Sequence, residues 1–402
     1  MTVELVRRIA LTLGALLLYR LGTYIPLPGV DAAVWDRIFR TQATGILGSL
    51  DLFSGGAIHR LALFALNITP YVSASLILQL ATIVSQRLRK LAREGEAGRA
   101  IIERRTRILG ALLAALQAFG IAKGLQNING MVTHPGSLFI LSTVITLTAG
   151  TLFLAWLSSQ ITLRGIGNGV AILISAGIVA ELPAAIAQTL DLGRQGLLPG
   201  NTLPALVLGV IVATAFVVVM ELARRRIPIA YATRTGTMPA CEGRSGLSVK
   251  LNAAGLIPVT LTSLVLTMLV AATTFFGRHS PAWLGSGRLP YLIVYAALIT
   301  LFAFLYTALV LDPEDAAESL QRYGGTIPEV APGEPTADYL DQTISRITMM
   351  GAAYLVLVCL LPQILVATAG VPFYFGGPSL LIAVGTALDL LAQVQGMTRA
   401  KR

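Results

Sequence analysis

From Ile347 to Leu388 the chain runs for 42 residues without a charged side chain, and four further uncharged stretches approach or exceed bilayer length. These are Leu61 to Gln86, Pro204 to Met220, Leu256 to Phe276 and Leu289 to Leu311. A helix of ~20 apolar residues suffices to cross the hydrocarbon core. The cluster Ala369-Gly370-Val371-Pro372 divides the longest run into two spans. Charged residues make up only 12% of the chain, against roughly 25% in soluble domains. The pattern is that of an all-α polytopic membrane protein.

The net charge of +10 would suit nucleic acid if it were spread evenly, but it is not. Of the 30 Lys and Arg, 22 fall on one side of the spans: the N-terminus, the loops 87–107, 158–167, 223–250 and 312–346, and the C-terminal tail. The other side holds only Arg37, Arg40, Arg60, Arg194, Arg278 and Arg288. That asymmetry places both termini in the cytoplasm, requires an even number of spans and gives no ground for direct DNA binding. Arg7-Arg8 followed by an apolar run has the outline of a signal peptide. Tyr19-Arg20-Leu21 stands where a small-residue cleavage site would be, so a retained first span is expected.

Ten spans fit the runs, near 6–25, 68–86, 107–126, 137–157, 168–189, 203–222, 252–273, 290–311, 346–365 and 379–395. Three segments are neither spans nor short connectors. "DLFSGGAIHRLALFALN", residues 51–67, is apolar, too short to cross and broken by Gly55-Gly56; it reads as a re-entrant or short helix packed against protein. The loop from Glu221 to Lys250 is basic. The loop from Asp312 to Arg346 carries eight acidic residues against two arginines, with the turn-rich "GGTIPEVAPGEPT". Long loops in a compact protein are usually functional. Both lie on the cytoplasmic side, which points to a cytoplasmic partner.

No catalytic constellation emerges. His59, His134 and His279 are far apart and read as surface or loop residues rather than metal ligands. Cys241 and Cys359 fall in a basic loop and mid-span, which does not suggest a disulfide. The embedded acids are few, Glu181 near the outer end of the fifth span and Asp389 near the inner end of the last. An ion-coupled transporter normally buries ionisable residues near the midplane, so that class is disfavoured. "GIGNG" at Gly165 to Gly169 has no βαβ context for a dinucleotide; it reads as a tight turn with Asn168 capping the next helix.

Within the second span, Ile68, Val72, Ser75 and Gln79 are spaced four, three and four apart and share one helical face. That face grades from apolar to polar, which a lipid-facing stripe would not do. Gln79, Asn168 and Asn252 each lie toward the cytoplasmic half of a span and are costly against lipid. The residues alone leave two readings open: interhelical glue, or a face turned to a pathway.

Seven stretches resemble the SecY protein-translocation channel family, in family order: "LYRLGTYIPLPGVD", "LFSGGAIHRLALFALNITPYVSASLILQL", "RGIGNGVAILISAGIVAELP", "RRIPIAYATR", "KLNAAGLIPV", "GGTIPEVAPGEPTADYL" and "FGGPSLLIAVGTALDLLAQVQ". The resemblance implies two pseudo-symmetric five-helix halves around an hourglass pore: 1–190, including the plug 51–67, and 191–402, carrying the loops 223–250 and 312–346. Unfolded secretory polypeptides would cross through the pore, and apolar helices would leave sideways between the second and seventh spans. It assigns the plug to Phe53, Ser54, Gly55 and Gly56, and the pore ring to Ile68, Val72, Ile174, Thr260 and Ile382. Gln79, Asn168 and Asn252 become the gate polar cluster, and Arg225, Arg226 and Arg234 the loop that docks ribosome and motor.

The same resemblance implies SecE-like and SecG-like small membrane subunits, a SecA-type motor ATPase or ribosome, preprotein substrates, membrane lipids and a bacterial inner-membrane location. It implies no cofactor, and no nucleotide site is visible. Four features depart from the family pattern: Thr260 in the ring, Ala331 before Pro332-Gly333 in place of arginine, Pro378 in "GGPSLL", and a short lead-in to the first span. The rival readings are a secondary transporter of a small solute and a non-conducting paralogue of the channel.

Overall fold

A computed structural model describes residues 3–42, 51, 54–128, 130–195, 202–231, 246–275, 288–328, 330–369 and 377–399. Ten of its helices coincide with the ten expected spans: α1 (Val3–Gly22), α3 (Thr69–Val84), α5 (Glu96–Gln126), α6 (Ser137–Arg164), α7 (Gly169–Arg194), α8 (Thr202–Leu222), α9 (Ile257–Phe275), α10 (Leu289–Val310), α12 (Glu334–Ala369) and α13 (Pro378–Arg399). Short helices α2 (Ala32–Gln42), α4 (Gln86–Arg93) and α11 (Pro313–Arg322) lie between them. Among the described residues, six helices are long and apolar enough to cross a membrane taken singly; Val207–Leu222 and Ile257–Leu266 are shorter apolar helices. Glu4, Arg7, Arg8 and Arg20 dilute α1, and α3 has 16 residues.

The chain forms two compact units. The first runs through Ala205 and regains the chain from Ser379. Its α3 packs on α5, whose buried Gly110, Ala114, Ala118 and Ala122 recur every four residues. Small residues let helix backbones approach closely, and a Cβ on Gly110 would already stand 3.3 Å from Tyr71 Cα. One core cluster gathers Tyr19, Phe64, Ile68, Leu154, Ile161 and Leu173. A second joins Leu27, Leu61, Ala118, Met131 and Leu147.

The turn between α6 and α7 ties this unit together. Its backbone N–H groups at Ile166, Gly167 and Gly169 donate to Thr12 Oγ1 (3.2 Å), Gln393 Oε1 (2.7 Å) and Thr162 Oγ1 (2.8 Å). Asn168 Oδ1 accepts from Val170 and Ala171, the cap expected from the sequence. With three of its donors taken by three helices, the "GIGNG" turn is a junction of helices. Ser175 Oγ donates to Ile382 O at 3.3 Å, so α13 belongs with α7 although it follows the second unit in the chain. The halves expected from the sequence, 1–190 and 191–402, are continuous stretches, whereas the first compact unit is not.

The second unit builds a small body from both long loops. Strands β1 (Arg224–Pro228) and β3 (Gly246–Lys250) pair antiparallel, Arg224 opposite Lys250 and Pro228 opposite Gly246. Strand β2 (Ala230–Tyr231) pairs with β4 (Gly325–Thr326), which joins the 223–250 loop to the 312–346 loop. Ile227, Ala317, Ile327 and Leu340 form the core beneath them. Asp312 caps α11 by accepting from the N–H groups of Glu314 and Asp315.

A Cβ on Gly169 would overlap Ser158 O, and forced overpacking costs about 1–3 kcal/mol. Gly169→Ala should therefore lower the thermal midpoint of the purified protein, read by tryptophan fluorescence in detergent. An unchanged midpoint would contradict the tight α6–α7 approach.

Candidate functional site

Helix α3 starts where its sequence requires. Ile68 is its N-cap, with φ −86° and ψ 0°, and Pro70 lies in the first turn, where a missing N–H costs nothing. Asn67 before it has φ 52° and Leu61 φ 42°. Between them the chain bridges Pro26 to Ala62, and Leu27 N–H donates to Leu61 O at 2.9 Å. Residues 55–68 run as tight turns after the helical Ser54, so the segment expected as a short helix is mostly turn among its described residues.

Of the residues assigned to the pore ring, Ile68 is fully buried in the core cluster, and Val72 and Ile174 pack against it half-buried. Ile382 is buried and bonded through its carbonyl to Ser175, next to Ile174. Thr260 belongs to the second unit. Its hydroxyl donates to Ile257 O at 2.9 Å, so the polar group is spent on its own helix. Pro378 opens α13, a position proline tolerates. Ala331 is exposed and its carbonyl accepts from Thr336 Oγ1 at 2.8 Å.

The three amides assigned to the gate each find a partner close by. Gln79 Nε2 donates to Ser75 Oγ at 3.3 Å along the shared helical face. Asn168 caps α7. Asn252, in the second unit, donates from Nδ2 to Glu221 Oε1 at 2.8 Å, and Tyr354 OH reaches the same oxygen at 3.4 Å. Arg225 and Arg226 are exposed on β1; Arg234 lies outside the described residues, as does Phe53.

Ser54, Gly55 and Gly56 are buried. Both glycines have positive φ, 66° and 76°, which glycine adopts at no steric cost. Ser54 Oγ donates to Asp51 O (2.9 Å) and accepts from Ile58 N–H (3.2 Å), while His59 N–H donates to Asp51 Oδ1 (2.8 Å). Tyr19 OH donates to Ser54 O (3.1 Å) and Trp35 Nε1 to Ile58 O (2.9 Å). His59 Nε2 stands 2.9 Å from Asp36 Oδ1 on α2. The turn is thus seated by side chains from α1 and α2.

Sequence reading did not single out Arg20, Arg60 or Tyr24 as site residues, and it took Glu181 only as a scarce acid. Arg20 Nη1 donates to Gly55 O at 2.7 Å, and Arg60 Nη1 to Gly55 O and Gly56 O at 3.3 and 3.2 Å. Each guanidinium also lies 3.6 Å from Glu181 Oε1. The available signal was an arginine inside the first span and an acid inside the fifth, both expensive in lipid.

The SecY family model matches residues 62–391. The chain belongs to the SecY family. It is 43% identical over 404 residues to the protein translocase subunit SecY of Escherichia coli (strain K12), across 98% of this chain and 91% of that one. The SecY subunit of Rickettsia bellii (strain RML369-C) is 37% identical, across 98% and 93%. Among solved structures, one described as a protein conducting channel superposes with TM-score 0.69 at 18% identity, covering 98% of this chain and 93% of that one. Sec61 in the canine ribosome-channel complex gives 0.66 at 17%, covering 98% and 93%. These similarities establish the SecY fold.

Burial pushes the Asp51 carboxyl above the ordinary carboxylate range, and Glu181 adds to the rise; the His59 backbone N–H, with His59 and Arg60, pulls the other way. A carboxyl raised in the fold favours its protonated form. Its stabilising contribution is complete below the unfolded value of about 3.9 and is lost as pH rises through the folded value. Acidification should therefore raise the protection factors across residues 54–62, that is, slow exchange relative to the unstructured chain at the same pH, and Asp51→Asn should flatten that dependence. Equal slopes in the two proteins would contradict the assignment.

Proposed function

We propose that this chain is the pore subunit of a bacterial Sec-type translocon. It conducts unfolded secretory polypeptides across the cytoplasmic membrane and releases apolar helices into it, acting as a channel and not as an enzyme. The observation that carries this reading is the identity of 43% with a protein translocase subunit over nearly the whole of both chains. The expected motifs, in order along the chain, support it.

The chemistry of the assigned residues suits the task. Ile68, Val72, Ile174 and Ile382 are branched aliphatic side chains, joined by Thr260 through its motif. A ring of this kind resists hydrated ions, yet offers no specific bond that a passing side chain would have to break. The turn at Ser54, Gly55 and Gly56 is the plug. Gln79, Asn168 and Asn252 are the gate polar groups, and a sufficiently apolar segment leaves past them because each Leu or Ile favours lipid by a few tenths of a kcal/mol.

Arg225 and Arg226, exposed on β1, present a basic surface to a ribosome or a SecA-type motor ATPase, and Arg234 shares the role through its motif. SecE-like and SecG-like subunits complete the complex, and both termini face the cytoplasm. Energy for transport comes from the partner or the membrane potential.

The test places single cysteines at Val72 and Ile382 and stalls a secretory chain in transit. Both positions should crosslink to the stalled chain, while a cysteine at the exposed Leu138 on α6 should not. Absence of crosslinks at both ring positions, with the stalled complex formed, would contradict the reading.

A further inference from the structure

The turn at Gly55-Gly56 is held by more than backbone contacts. Two guanidiniums, Arg20 from α1 and Arg60 from the end of the turn itself, converge on the carbonyls of Gly55 and Gly56. Left alone, two like charges on one carbonyl would repel each other, and each has lost part of its water: both side chains are 30% exposed. Glu181 Oε1 stands 3.6 Å from each, and it makes no hydrogen bond among the described residues. At 17% exposure the carboxylate acts as a shared counter-ion in a medium of low effective dielectric, where such attraction is far stronger than in water. Tyr24 adds a face for both cations, its ring centroid 5.0 Å from Arg20 Cζ and 4.4 Å from Arg60 Cζ.

The glycines make this geometry possible. A Cβ on Gly56 would overlap Glu181 Oε1 and come within 2.6 Å of Arg60 Nη1, and one on Gly55 would meet Gly177 Cα at 3.0 Å. The turn therefore lies directly against α7, with its carbonyls turned to the charge cluster. Three separate segments supply the charges: the first span, the turn and the fifth span. Displacing the turn carries Arg60 and the two carbonyls away together, leaving Arg20 and Glu181 with each other and with water.

We propose that Arg20, Glu181 and Arg60 form a charge latch on the plug, and that Glu181 is the positioning residue whose charge sets how readily the plug leaves its seat. The latch rests on the channel reading above and deepens it: the closed state is held by a counter-ion in the fifth span as well as by apolar packing. Removing only the charge, with shape kept, should release the carbonyls of Gly55 and Gly56 without disturbing α7.

The test compares wild type, Glu181→Gln and Glu181→Asp in proteoliposomes with the partner subunits present. Three quantities are read: amide exchange at residues 54–62, anion leak through the resting channel, and transport of a secretory precursor. Glu181→Gln should speed exchange and raise the leak severalfold while transport persists, and Glu181→Asp should return both toward wild type. Exchange and leak unchanged in Glu181→Gln would overturn the latch. Faster exchange without added leak would confine Glu181 to local structure and overturn its control of opening. If Glu181→Gln does not accumulate in the membrane, Arg60→Gln carries the same comparison, with the same expected rise and the same overturning result. Failure of the wild type itself to transport the precursor would count against the channel reading, whereas failure of the variants to differ counts only against the latch.

Discussion

Hydrocarbon offers no hydrogen bonds, and most of what distinguishes this structure follows from that constraint. Every backbone polar group inside a span needs a partner made of protein, and several side chains find one too. Thr260 spends its hydroxyl on its own helix, and Gln79 turns to Ser75 four residues away. The "GIGNG" turn, an irregular stretch between two spans, has three of its N–H groups taken by side chains from three helices. The carbonyls exposed by the left-handed glycines at 55 and 56 are met by two arginines. Irregular backbone survives at these places because it is wrapped in protein.

Two groups of contacts with opposite chemistry lie in the first unit. Ile68, Val72 and Ile174 present branched aliphatic surface in one packed cluster. Such a surface yields to almost any side chain, since nothing specific is broken when it parts. The neighbouring turn is held by directed, charge-assisted bonds, which are strong while intact and fall away together once the geometry is lost. In the proposed channel, the apolar surface serves passage and the charged contacts hold the resting state.

The spans were legible because lack of charge is a direct statement about solvent: each of the ten expected spans lies on a helix, although α5 and α12 begin 11 and 12 residues before the expected starts at 107 and 346. Pro70 marked the start of the second span, and Asn168 its own cap, for local stereochemical reasons that need no tertiary knowledge. The strand pairing of Arg224 to Pro228 with Gly246 to Lys250 was not legible, since "RRIPI" lacks the alternation of a half-buried strand. Nor was the pairing of Ala230 with Thr326, which spans nearly a hundred residues. Glu181 was visible as an anomaly, yet its partners Arg20 and Arg60 lie 161 and 121 positions away, and distance along the chain hides such pairings. Glu221, read as the edge of a basic loop, is the acceptor for Asn252 and Tyr354.

Conduction of unfolded polypeptide through the membrane by this chain can be measured directly. The most direct measurement reconstitutes it with its small subunits and a motor ATPase into sealed vesicles, supplies ATP and a secretory precursor, and then adds protease outside. Full-length precursor should be protected from protease, with protection lost when detergent opens the vesicles. Precursor that stays wholly digestible, in vesicles where a known translocase protects it, would show that this chain does not conduct.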